Sequence, residues 1–134
     1  MQYILEYLNQ SLLFRNFIEV LWGLDNTLLL LIISLPIGFI LSLIFAIGRV
    51  SENKFISKTI ASYIFVIRGT PLLVQIYLIY FGLGSVAFIR ESFLWYLLRE
   101  PFWCGVLALT INTVAYGSEI FRGGIQSVTK GQIE

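Results

Sequence analysis

Four side chains stand out because their polarity contradicts their surroundings: Arg68, Gln75, Asn112 and Glu119. Each lies in or against an apolar run. An arginine at the centre of a membrane helix costs about 2.5–3.5 kcal/mol on insertion scales. Arg68 therefore reads in one of two ways. It is a binding or gating residue facing a cavity, or it sits near the cytoplasmic end and pairs with carbonyls or lipid phosphate. Gln75 follows seven residues later, and the two would share a face on an unbroken helix, but Pro71 intervenes. A buried amide either binds a polar ligand or bonds one helix to another. Further on, Gly105, Ala108, Asn112, Ala115 and Glu119 fall on one narrow helical arc, with Trp103, Leu107, Val114 and Phe121 opposite. This reads as a small and polar face against a lipid-type face. Its uses are helix packing with an i,i+3 ion pair from Glu119 to Arg122, or a line of pathway contacts.

Catalytic chemistry finds little support. There is no histidine, hence no common near-neutral base, and a single cysteine, Cys104, so no intrachain disulfide or cysteine metal cluster. The patterns GxxxxGK[ST], HExxH and GxSxG are not found, nor is an aspartate cluster. The expectation is a chain that is not an enzyme, with no metal or cofactor site, whose work is transport or membrane anchoring.

The elements that must position these residues follow from composition. Of 134 residues, 57% are hydrophobic and 13% charged, and the mean hydropathy is +0.84. Soluble domains carry about 25% charged residues. The fold class expected is an all-α membrane protein with three transmembrane helices. A net charge of +1 gives no strong attraction to nucleic acid. Spans are predicted at about 27–47, 60–83 and 101–121 of a single membrane domain covering 1–134. Pro36 predicts a mild kink in the first. The second is interrupted or strongly bent at Arg68, Gly69, Thr70 and Pro71. The third starts on Pro101, where a missing N–H is harmless, and stops before Gly123 and Gly124. The first span is too long, and too weakly preceded by basic residues, for a cleaved signal peptide. Residues 1–20 read as an interfacial amphipathic helix or a loose terminus. Arg49, Lys54 and Lys58 in the first connection, with Arg122 and Lys130 in the tail, place both in the cytoplasm and the N-terminus outside.

Residues 68–83, RGTPLLVQIYLIYFGL, closely resemble the RGTPLLVQ…YFG signature of polar amino-acid ABC transporter permeases. Residues 115–134, AYGSEIFRGGIQSVTKGQIE, resemble that family's AYxxEIxRGGIQSVPKGQxEAA stretch, and the similarity extends to the first span. Thr129 replaces a usual proline, a change of local stiffness rather than of function. Residues 94–104 are most similar to arginine-type permeases.

This resemblance implies the N-terminal part of an ABC importer type I permease fold in the bacterial inner (plasma) membrane. It implies multi-pass insertion in membrane lipid. It implies import of a polar amino acid, arginine or another basic one, driven by ATP hydrolysis in separate subunits. The implied partners are a second permease subunit, two ABC ATPase subunits, an extracytoplasmic solute-binding protein and the amino-acid substrate. Gln75, Asn112, Glu119 and Arg68 are the pathway candidates, near the midplane where such designs bind substrate. Gly131, Gln132 and Glu134 would belong to the ATPase coupling region, since the family's EAA loop begins at the glutamate matching Glu134. Because the sequence ends there, the expectation is a truncated permease. The alternative is a permease-derived membrane protein with an assembly or regulatory role and no transport of its own.

Overall fold

A computed structural model of the chain describes residues 19–128, with Gln2, Tyr3, Tyr7, Asn16 and Phe17. The expected coupling residues Gly131, Gln132 and Glu134 lie outside the described residues, as does most of the stretch read as an interfacial helix. The described elements are all helical: α1 (Leu24–Val50), α2 (Lys54–Arg68), α3 (Leu72–Tyr77), α4 (Ala87–Arg90), α5 (Leu94–Leu98) and α6 (Pro101–Ser127). A π-helical turn, Leu78–Gly82, carries α3 into a last short turn at Leu83–Ser85.

Two compact units divide the chain, residues 1–32 and 33–134. The first holds the start of α1, where the Thr27 hydroxyl donates to the Gly23 carbonyl at 3.2 Å and Leu28, Leu29 and Leu31 are exposed. The second holds the rest of α1 and every other helix. Within it, α1 buries only small side chains, Ser34, Gly38, Ser42 and Ala46, four residues apart. Small residues at this spacing let helix backbones approach closely. The facing helix is α6: a Cβ on Gly38 would lie 2.7 Å from Thr113 Cβ, and Gly117 leaves space for the Ser42 hydroxyl. Ser42 Oγ donates to Gly38 O at 2.7 Å and reaches Thr113 O at 3.2 Å. Phe39 meets the edge of Phe121 beside this seam.

The second expected span differs at its start. α2 begins at Lys54, ahead of Ile60, because Asn53 caps it: Oδ1 accepts from the N–H groups of Phe55 and Ile56. It then breaks at the anticipated residues. Thr70 precedes a proline, which disfavours helical backbone, and Pro71 adopts ψ 138°. Gly69 closes α2 with its N–H on Phe65 O, and a Cβ there would lie 3.0 Å from that same carbonyl. The result is a bend of 103° between α2 and Leu72–Ser85.

Two corrections concern α6. It does not stop before Gly123 and Gly124 but continues to Ser127. Neither glycine adopts positive φ, so helical backbone persists despite a propensity cost of about 1 kcal/mol each. Val114, assigned to the lipid-type face, is 3% exposed; it is Tyr116 and Ile120 that face outward. The interval between α3 and α6, read as a plain connection, contains α4 and α5.

By length and composition, Glu19–Val50 and α6 can each cross a membrane, whereas α2 and Leu72–Ser85 pass only as a pair. The reason is reach: the fifteen residues of α2 rise about 22 Å against a hydrocarbon core of about 30 Å.

Candidate functional site

The four polar residues separate into two neighbouring groups. The first is built around the helix break. An α2 that ends at Arg68 leaves its last carbonyls without intrahelical donors. Gly69 and Thr70 serve the carbonyls of Phe65, Val66 and Ile67, and Gln75, 6% exposed, turns back to add a donor at Ile67. Its Nε2 lies 2.7 Å from Ile67 O, 2.9 Å from Thr70 Oγ1 and 3.1 Å from Thr70 O. Two amide hydrogens therefore serve three acceptors. Its Oε1 accepts from Asn112 Nδ2 on α6 at 3.3 Å. One residue earlier on α6, Ile111 O accepts from the Tyr63 hydroxyl of α2 at 2.7 Å.

The second group lines a cavity of about 400 Å³ between α1, α2 and α6, with Arg49, Ile64, Arg68, Tyr116 and Glu119 among its walls. Glu119 is held from two sides. Arg122 donates to its Oε2 from Nη2 at 2.7 Å and from Nε at 3.0 Å, while its Nη1 donates to Gln126. Oε1 faces Arg49 Nε at 3.6 Å, too far for a hydrogen bond, and both atoms are buried without a hydrogen-bond partner. Arg49 is braced by Ser57, whose hydroxyl accepts from Nη1 at 3.1 Å and donates to the Arg49 carbonyl. Arg68 stacks its guanidinium over Tyr116, 5.1 Å from the ring centroid, on the same cavity. Three guanidinium groups thus surround one carboxylate, leaving one acceptor atom and one donor atom of opposite charge unsatisfied at the cavity wall.

A profile of the family described as binding-protein-dependent transport system inner membrane component matches residues 35–134. The chain belongs to this family. Its match and the apolar helices above make it a multi-pass inner-membrane protein. Among similar proteins, the nopaline transport system permease protein NocM of Agrobacterium fabrum is 48% identical over 92% of this chain and 52% of its own length. The histidine/lysine/arginine/ornithine transport system permease protein HisM of Escherichia coli is 47% identical over 84% of the chain and 48% of its own. The arginine ABC transporter permease protein ArtM of Haemophilus influenzae is 39% identical, covering 91% and 54%. A crystal structure of an amino acid ABC transporter with histidines superposes with a TM-score of 0.72 at 40% identity, over 90% of this chain and 52% of the other. The chain spans about half the length of the relatives it matches.

Within this family member, the sequence-level candidates Gln75 and Asn112 meet directly, while Arg68 and Glu119 share the cavity. Arg49 was read only as a marker of membrane orientation, yet it is the third charged wall. No local spacing links it to Glu119; the helix pairing of α1 with α6 does. Tyr63 and Tyr116 were likewise not singled out. The four-residue repeat of small side chains on α1 was the available signal for that pairing.

Proposed function

We propose that the chain is part of the permease subunit of an ABC importer that moves a polar amino acid, arginine or another basic one, across the inner membrane. ATP would be hydrolysed in separate subunits. A second permease subunit would complete the pathway, and a solute-binding protein would deliver the substrate from outside. The N-terminus lies outside and the tail in the cytoplasm, so Gly131, Gln132 and Glu134 approach the ATPases. The broken second helix counts as one span in this arrangement.

The observation that carries this reading is the mixed-charge cavity beside the helix break. Its volume, about 400 Å³, lies in the range of small-molecule sites. Broken membrane helices recur where transporters hold substrates and ions. An amino acid presents a carboxylate and a cationic group together. Arg68 suits the carboxylate, and Glu119 suits the cation, its Oε1 being buried against Arg49 Nε at 3.6 Å until a cation replaces that contact. Gln75 and Asn112 support the pathway from outside this cavity, their polar atoms being turned on each other rather than into it. The printed names of relatives for nopaline, arginine and histidine/lysine/arginine/ornithine transport agree in substrate class.

The test is reconstitution of the full-length permease with its ATPase and binding protein in liposomes. Labelled arginine should accumulate only with ATP and binding protein, and excess lysine or ornithine should compete. Failure of every basic amino acid to accumulate would refute the substrate class. ATP-independent equilibration would refute the importer.

A further inference from the structure

The helix break and α6 are joined in a way that the substrate cavity does not require. Each arm of the broken helix reaches the same turn of α6. From below the break, the Tyr63 hydroxyl donates to Ile111 O at 2.7 Å. From above it, Gln75 Oε1 accepts from Asn112 Nδ2 at 3.3 Å. Gln75 simultaneously holds Ile67 O and Thr70, so the corner and the attachment are one hydrogen-bonded unit. The corner's other hydrogen bonds are local, from Gly69 N–H to Phe65 O and from Thr70 back to Val66 O and Ile67 O, and Gly69 and Pro71 are exposed. Gly69 and Arg68 also line the mixed-charge cavity, as does Tyr116, one helical turn beyond Asn112.

We propose that Tyr63, Gln75 and Asn112 are positioning residues that clamp both arms of the broken helix to the Ile111–Asn112 turn, so that the corner at 69–71 moves with α6. The proposal rests on the importer reading, because α6 leads directly toward the tail assigned to the ATPases. A displacement of α6 along its axis carries both attachment points with it. Because both attachments lie on one turn of α6, that displacement carries the corner along rather than sliding α6 past it. The wall of the cavity formed by Arg68 and Gly69 then keeps its place against Tyr116 and moves with α6 relative to Arg49 on α1. The clamp touches no substrate; it acts by keeping the cavity and α6 in register.

The test uses the assembled importer containing this chain, with Tyr63→Phe, Asn112→Ala and the double variant. Tyr63→Phe deletes one hydroxyl, and Asn112→Ala leaves the bonds of Gln75 to the corner intact. Arginine taken up per ATP hydrolysed should fall about threefold in each single variant, the factor of an average interhelical hydrogen bond in a membrane. It should fall further in the double variant, while ATPase rate and the KM for uptake stay near wild type. Unchanged uptake per ATP in all three overturns the clamp. So does a proportional loss of uptake and ATPase, or a raised KM, which would mark general damage or substrate contact instead. A second readout needs no transport: in Asn112→Ala, backbone amides of 72–76 should exchange with deuterium about threefold faster or more, and unaltered exchange overturns the proposal. If the wild-type complex itself does not import, the importer reading fails, and the exchange measurement still decides whether the clamp exists.

Discussion

Replacing Gly38 by alanine tests the packing on which the cavity depends. The added Cβ would lie 2.7 Å from both Cβ and Cγ2 of Thr113. Carbon atoms rest at about 3.5–4.0 Å, so the helices must separate locally by roughly 0.8 Å or more. Rotating Thr113 does not relieve the clash, because its Cβ is fixed to the backbone. Separation also stretches the contact of Ser42 Oγ to Thr113 O, now 3.2 Å, beyond hydrogen-bond range. Overpacking of a close interface costs about 1–3 kcal/mol. The better helix propensity of alanine offsets up to about 1 kcal/mol. With the full offset a net loss of up to about 2 kcal/mol follows, or up to a roughly thirtyfold smaller folding constant. The assay is equilibrium unfolding of the full-length permease in mixed micelles, followed by tryptophan fluorescence. Gly123→Ala is the control, since nothing lies within 4 Å of a Cβ there; it should be neutral or stabilise by up to about 1 kcal/mol. If the two substitutions shift stability in the same direction, the close α1–α6 seam is wrong.

Gln75→Leu removes the amide donor at the corner and strands the Thr70 carbonyl, while Ile67 O keeps only its longer contacts from Thr70. The expected loss is about 1–3 kcal/mol, measured by the same unfolding assay; a variant as stable as wild type would contradict the capping role. Glu119→Gln keeps the shape but leaves Arg49 and Arg122 unpaired in charge. Uptake of arginine should drop relative to that of a neutral polar amino acid, and unchanged selectivity would remove Glu119 from the pathway. For topology, Ser51→Cys should react with an impermeant maleimide only from the cytoplasmic side. Cys104, 1% exposed, should give no background. Labelling from outside would invert the orientation.

Much of the architecture was readable along the chain because it rests on local rules. Apolar runs of sufficient length mark α1 and α6, and a proline after Arg68-Gly69-Thr70 announces a break wherever the segment folds. The pair Glu119 and Arg122 is three residues apart on one helix, so spacing alone finds it. The α6 end was misjudged for a matching reason: paired glycines lower helix propensity by a small amount that helical continuation overcame. Val114 was assigned to the wrong face because one periodicity cannot say how many neighbours a helix has, and α6 meets both α1 and the broken helix.

What the amino-acid sequence determined by itself is membrane residence, the apolar runs behind α1 and α6, the place of the break, and the family. Only the tertiary structure decided which polar groups share a site. Gln75 could serve a ligand or, the reading favoured, bond helices together, until the bend of 103° brought the Ile67 and Thr70 carbonyls within its reach. Arg49 entered the cavity because Gly38, Ser42 and Gly117 let α1 and α6 close on each other. Both outcomes depend on backbone geometry between residues distant in the chain, which no spacing along a single helix encodes.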